Sequence, residues 1–333
     1  MTRQPDFGNI LKILRREAPS RHTLFEFFLN DPLYKRLAGM KMPEEAYSLD
    51  RNNFYVRAFA NAGYDYATIQ GSAFHFPTEN RRGMKTVSLN EGFVMTDRES
   101  FDAYEWPDPD AFDYSGIGRV DLPDGMKLMV CGPCGVLENV TALLGYENLC
   151  VMLYEDPQLV HDVFAEVGLR LLRYYENCVK YDTVGLLMVN DDWGFKTQTM
   201  LSPAQMREYV FPWHRKIVEL AHNAGKPAVL HSCGFFGDIM DDVIDVLKFD
   251  GKHSYEDNIL PVEDAYRQWG DRIAILGGID LNFVVSETPE KIRHRCKAML
   301  AIGKTGYALG TGNSVPEYVP VENYFAMTGT VLG

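Results

Sequence analysis

The chain has 333 residues, enough for one large domain or two ordinary ones, with 46% hydrophobic and 24% charged residues. That balance excludes disorder and collagen-like repetition. Lys and Arg total 33 against 46 Asp and Glu, a formal net charge of −13, which argues against nucleic acid and anionic membranes as partners. No apolar run approaches the roughly 18 residues a membrane span needs. The first twenty residues are amphipathic and carry no apolar signal core, so the expectation is a cytoplasmic protein. Six cysteines in so long a chain form no disulfide scaffold and are expected as thiols or metal ligands.

In chain order, Phe7, Ile10, Leu11 and Leu14 recur at helical spacing, and Pro19 closes that opening helix. Eight short apolar runs read as strands: Thr23 to Phe28, Tyr64 to Gln70, Lys127 to Gly132, Val184 to Asn190, Pro227 to His231, Val246 to Gly251, Ile273 to Gly277 and Tyr307 to Gly310. Helical patterns separate most of them, among them Pro157 to Tyr181, Pro203 to Asn223 and Pro289 to Ile302. Eight alternations predict a single-domain (β/α)8 TIM-type barrel with an N-terminal helical extension, spanning residues 1–333. A doubly wound open sheet should carry an early glycine-rich phosphate turn, and none is present. Met84 to Asp124 reads as an excursion between the second and third strands.

Polar and reactive residues follow these strands: Glu26 after the first, His75 after the second, Cys131 and Cys134 at the third. Asn190, Asp191 and Asp192 close the fourth, His231 and Cys233 the fifth, His253 and Glu256 the sixth. Asp280 follows the seventh, and Thr311, Asn313 and Ser314 the eighth. In a barrel these ends meet at one mouth.

The strongest local signal is His231-Ser232-Cys233-Gly234 behind an apolar run. Residues i and i+2 of an extended strand share a face roughly 7 Å apart, so an imidazole and a thiolate there can converge on one zinc ion. The plain alternative is a His and a Cys packing the barrel top. Glu256 is a candidate third ligand from the next loop, leaving an open position of the catalytic kind; its alternative is a carboxylate at a helix N-terminus. His253 is a candidate substrate contact or a satisfied loop histidine. Asp191 and Asp192, beside Trp193, suit proton handling, or one caps a turn while the other is solvated. Glu26 and Asp280 are candidates on position alone. Cys131-Gly132-Pro133-Cys134 has the CxxC spacing without a second pair and reads as a structural turn. Gly303-Lys304-Thr305 lacks the earlier glycine of a phosphate loop, since that position is Ala298.

Taken together, several segments resemble the uroporphyrinogen decarboxylase superfamily over nearly the whole chain. They are Asn9-Ile10-Leu11 to Arg15-Arg16, Arg21 to Glu26, Asp191-Asp192-Trp193-Gly194, and Leu201-Ser202-Pro203 to Phe211-Pro212-Trp213-His214. His231 to Gly234, Leu276-Gly277-Gly278-Ile279-Asp280, Gly312 to Pro316 and Pro320 to Asn323 complete the set. The resemblance implies a TIM-type barrel. The decarboxylases proper carry an arginine-rich motif after the first strand, where this chain reads Phe27-Phe28-Leu29-Asn30-Asp31. Without those cations an acidic chain is poorly made for a polycarboxylate porphyrin.

The chain is more similar to the zinc-dependent methyltransferases of corrinoid systems, which carry His-x-Cys after the fifth strand. Thiol-specific members add a cysteine near the last strand, where this chain reads Gly310-Thr311-Gly312-Asn313. The resemblance therefore implies an O-demethylase methyltransferase taking a methyl group from a small aromatic methyl ether. The acceptor would be the Co(I) corrinoid (cobalamin) of a corrinoid-binding partner protein. Zn2+ would sit on His231, Cys233 and Glu256, with Asp191 or Asp192 handling the leaving oxygen. Trp193, Phe195, Phe74 and Phe76 would hold the ring, with His253 and Asp280 as further substrate contacts. A methylcobamide:thiol methyltransferase, a metal-free porphyrin decarboxylase and a non-catalytic barrel that docks a corrinoid protein are the alternatives. A homodimer is compatible with the sequence.

Overall fold

A computed structural model describes residues 3–78 and 89–332. Seven parallel strands lie in one curled sheet in sequential order. They are β1 (Tyr66–Gln70), β2 (Lys127–Cys131), β3 (Val184–Asn190), β4 (Ala228–His231), β5 (Gly251–His253), β6 (Ala274–Leu276) and β7 (Tyr307–Ala308). Sequential parallel order with helices between the strands, curled back on itself, is the architecture of a TIM-type barrel. β3 is buried along nearly its whole length, as a strand covered on both faces must be.

The segment expected as the first strand, Thr23 to Phe28, makes a single parallel bridge, Leu24 to Leu309. The Phe25 amide donates to the Leu309 carbonyl at 2.7 Å, and the Leu309 amide donates to the Thr23 carbonyl at 3.0 Å. On its other side a side chain replaces the ladder. The Tyr66 hydroxyl accepts from the Glu26 amide and donates to the Glu26 carbonyl, both at 2.7 Å. The ring thus closes through one buried tyrosine.

The sixth expected strand is displaced. Residues Asp242–Val246 form a turn of wide helix, and the strand begins only at Gly251. Val243, Ile244 and Leu247 are buried, so their apolar run serves a helical face; a short apolar run does not distinguish the two by itself. The helices Pro157–Val179 and Pro289–Ile302 match their expected spans closely. Of the excursion at Met84 to Asp124, residues 84–88 lie outside the described residues; the rest holds short helices at Arg98–Ala103 and Ser115–Arg119.

The N-terminal helix Gly8–Leu14 plugs the end of the barrel where the strands begin. A methyl group added at Gly185, on β3, would meet the Phe7 ring at 2.5 Å, and one at Gly251, opening β5, would meet Leu14 at 2.9 Å. Glycine at both positions makes room for the plug. The opposite end, where the strands finish, stays available for chemistry. No helix among the described residues is long and apolar enough to cross a membrane.

Candidate metal centre

Parallel register assembles the site. Asn190 pairs with His231 across β3 and β4, and His231 pairs with His253 across β4 and β5. Side chains alternate along strands, so the two histidines share a face, with ring centroids 4.9 Å apart. Past the strand ends the backbone stays paired: the Asp191 amide donates to the His231 carbonyl at 2.9 Å and the Ser232 amide to the His253 carbonyl at 2.8 Å. The loops after β3 and β4 then touch backbone to backbone. The Phe235 amide donates to the Phe195 carbonyl at 2.7 Å. A Cβ at Gly234 (φ +79°) would lie 1.9 Å from the Gly194 carbonyl oxygen. Only glycine permits that approach, and it sets Asp192 beside Cys233.

Among the described residues, one ligand atom each from Asp192, His231 and Cys233 lies within 4.8 Å of the other two. Cys233 Sγ is 3.5 Å from His231 Nε2. The Cys233 amide donates to Asp192 Oδ1 at 2.8 Å, tying the backbone of one candidate ligand to the carboxylate of another. Sγ also accepts from Asn313 Nδ2 at 3.1 Å and from the Ser254 hydroxyl at 3.7 Å. Two donors aimed at one sulfur suit a thiolate, the form that binds metals. Without an ion, burial and the neighbouring Asp192 push the thiol well up. His231 is held far below its usual value by burial and by His253, and burial pushes His253 down to about 3. Both rings are therefore neutral, and a neutral imidazole is what a metal requires.

Glu256, expected as third ligand, lies outside this group of donors. Its carbonyl accepts from the Ile259 and Leu260 amides at 2.9 and 2.8 Å, placing it at the start of a turn. The carboxylate near His231 and Cys233 is that of Asp192, in the loop after β3.

Asp191 and Asp192 separate sharply. Asp191 is fully buried. Its Oδ1 accepts from the Glu138 amide at 2.9 Å, while Oδ2 accepts from the Leu137 amide at 3.0 Å, Trp193 Nε1 at 2.9 Å and His214 Nε2 at 2.8 Å. It caps the helix Val136–Leu144, which follows the neighbouring strand β2, and is buried among its four donors. In the structure Asp191 serves as a helix cap and a buried acceptor, the capping alternative stated for one of the pair. Trp193, its donor, is also fully buried, edge-on to His214 at 4.9 Å, and walls no open space. Phe74 and Phe76 are buried in an aromatic cluster with Phe112, Tyr174 and Trp106. Phe195 alone of the four expected ring-holders is exposed, with its ring edge-on to Tyr146 at 5.4 Å. Asp280 caps the helix Leu281–Ser286 through the Phe283 amide at 3.0 Å and ties down the Asp257 amide at 3.0 Å; it is spoken for. His253 touches His231 rather than open solvent. In the CxxC segment, buried Cys131 donates to the Ile69 carbonyl at 3.4 Å while Cys134 is exposed.

Several residues of the site escaped the sequence reading. Glu138 opens the helix after β2 and accepts from the Gly135 amide at 2.9 Å; burial, with Asp191 and Asp192 nearby, pushes its carboxyl up to about 8. Its position three residues after Gly135 is a helix-start signal, which concealed its proximity to Asp192. Lys252, buried on β5, donates to the Ser254 carbonyl at 2.7 Å beneath the faces of Phe236 and Tyr255, 3.7 and 4.6 Å from the ring centres. Burial lowers its amine to about 7. A lysine inside a strand gives no sign in sequence of which face it takes.

Residues 129–332 match the uroporphyrinogen decarboxylase (URO-D) family. The chain belongs to that family. A methyltransferase from Methanosarcina mazei shares the fold at 16% identity, with a TM-score of 0.70 over 97% of this chain and 96% of that one. A Listeria monocytogenes chain described as a vitamin-B12 independent methionine synthase is 14% identical, with a TM-score of 0.49 over 95% of this chain and 96% of its own. No curated protein matches the sequence.

Proposed function

We propose that this member of the URO-D family is a zinc-dependent methyltransferase that demethylates a small aromatic methyl ether. The methyl group would pass to the Co(I) corrinoid of a partner protein. The observation that carries this reading is the meeting of His231 Nε2, Cys233 Sγ and the Asp192 carboxylate at the rim, with Asn313 and Ser254 donating to the sulfur. Zinc held by these three side chains would supply a Lewis acid at the mouth. One sulfur beside a nitrogen and a carboxylate keeps such an ion hard, which suits an ether oxygen better than a thiol. The fold shared with a Methanosarcina methyltransferase is compatible with this reading.

The chain's own groups would divide the work. As the methyl carbon leaves, the C–O electron pair stays on the phenolic oxygen. Glu138, beside Asp192 and holding a proton near neutral pH, would supply a proton there. Phe195 would hold the ring at the entrance, and Phe27, 4.6 Å from the His231 ring, keeps water from that side of the ligand. Porphyrin decarboxylation is disfavoured by the lack of an arginine cluster at the mouth: Asp192 there is acidic, and the basic side chain nearby among the described residues, Lys252, is buried beneath two rings.

The test offers two reactions to the purified protein: an aryl methyl ether with a reduced corrinoid protein, and methylcobalamin with a thiol. Turnover of the ether, lost in Cys233→Ala and Asp192→Ala, supports the proposal. Turnover of the thiol alone, or undiminished ether turnover in both variants, overturns it.

A further inference from the structure

A histidine serves as a ligand only through the nitrogen that lacks a proton, so something must decide where His231 keeps its own. The Thr311 carbonyl can only accept, so His253, 3.1 Å away through Nε2, donates to it. His253 Nδ1 then faces His231 Nδ1 at 2.8 Å, a contact that takes one shared proton. Both rings are buried, and among the described residues neither is hydrogen-bonded to a carboxylate that would favour a charged imidazolium. The shared proton therefore belongs to His231 Nδ1, and His231 Nε2 is left bare on the side of Cys233 Sγ.

Thr311 is itself held by proton arithmetic. Its amide donates to Glu26 Oε1 at 2.8 Å. Its hydroxyl lies 2.5 Å from both the Asn313 carbonyl and Glu26 Oε2. A carbonyl only accepts, so the single hydroxyl proton goes to Asn313, and the short contact to Glu26 needs a proton from Glu26. Glu26 is fully buried, and desolvation pushes its carboxyl up to about 8. Gly277 (φ +66°) keeps the relay tight: a Cβ there would sit 2.4 Å from the Thr311 carbonyl oxygen and 2.8 Å from the His253 ring.

We infer that Glu26, Thr311 and His253 form a positioning relay that holds His231 in its Nδ1-protonated form, and that Glu26 serves in it as a neutral carboxylic acid. The use of this relay for metal binding rests on the proposed zinc reading; the proton placement does not. Metal ligands are commonly oriented by such outer partners. Here the partner is a second, neutral histidine, itself fixed by a backbone carbonyl.

Nitrogen-15 histidine spectra of the metal-free protein read the placement directly. The expected result is His231 protonated on Nδ1 and His253 on Nε2; His231 protonated on Nε2 overturns the inference. Co2+ titration then tests the consequence. His253→Phe, which can neither accept from His231 nor donate to Thr311, should weaken binding about 10–100-fold. His253→Gln, whose amide accepts at one end and donates at the other, should restore most of it. Glu26→Ala should loosen binding and Glu26→Gln, the isostere of a neutral acid, should rescue it. Equal loss in Glu26→Gln and Glu26→Ala overturns the neutral-acid role. A wild-type protein that takes up no Co2+ while showing the expected proton positions sinks the zinc reading and leaves the relay standing.

Discussion

Asp191 and Asp192 are neighbours at the end of one strand, yet they belong to two different regions of the rim. Around Asp191, between β3 and the helix Val136–Leu144, a buried carboxylate meets four donors. Around Asp192, between β3, β4 and β5, a carboxylate, a bare imidazole nitrogen and a sulfur point at common space. Burial already differs, complete at Asp191 and partial at Asp192, while formal charge does not. The partners also separate them: Asp191 is surrounded by donors, which marks architecture, whereas Asp192 faces two further potential ligand atoms, which marks a place for a ligand.

The largest expected effect breaks the first region. Asp191→Ala strands buried donors on Leu137, Glu138, Trp193 and His214, and should destabilise the fold by about 3–5 kcal/mol in urea unfolding. A loss below ~1 kcal/mol would mean the carboxylate is not the keystone described.

The next concerns pH. Glu26 keeps its proton in the folded state up to about 8, whereas an unfolded glutamate releases it near the ordinary value. Between those values the folded chain binds more protons, so this group's contribution to stability falls as pH rises through the window. Glu26→Gln should remove that slope and exceed wild type by a few kcal/mol at pH 8, with no such gain at pH 4. Unfolding midpoints at the two pH values decide it; parallel curves for the two proteins contradict the buried-acid assignment.

Cys233→Ala should barely disturb the metal-free fold, by roughly 1 kcal/mol or less, because its role is in the converging set rather than the core. A thermal scan showing a loss as large as that of Asp191→Ala would erase the contrast between the regions. The smallest effect is expected for Phe195→Ala. Its exposed ring should contribute within about 0.5 kcal/mol to stability, while the KM for an aromatic ether rises; an unchanged KM removes Phe195 from the entrance.

Much of the scaffold was legible. β3 was expected over the residues it occupies, because Val184 to Val189 is a continuous apolar run of the kind buried parallel strands carry. His231 and Cys233 stood out because their spacing is a local property. The third member of the donor group was not legible, since Asp192 and Glu256 both follow strands bordering β4, and the packing of Gly194 on Gly234 sets the former beside Cys233. The same holds for Asp191, whose role as the cap of a distant helix depends on donors more than 50 residues away. Val246 misled because a short apolar run fits a helical face as well as a strand. Glu138 and the links between Glu26, Thr311 and His253 join residues far apart in sequence, and no spacing rule reaches them.

On the proposed reading, the rim between β3, β4 and β5 holds one divalent ion. X-ray absorption on the zinc-loaded protein tests it most directly. The expected result is one zinc per chain with a single sulfur at about 2.3 Å and nitrogen or oxygen in the remaining positions, with the sulfur signal gone in Cys233→Ala. Two sulfurs in the shell, or zinc bound as tightly in the variant as in the wild type, would contradict it.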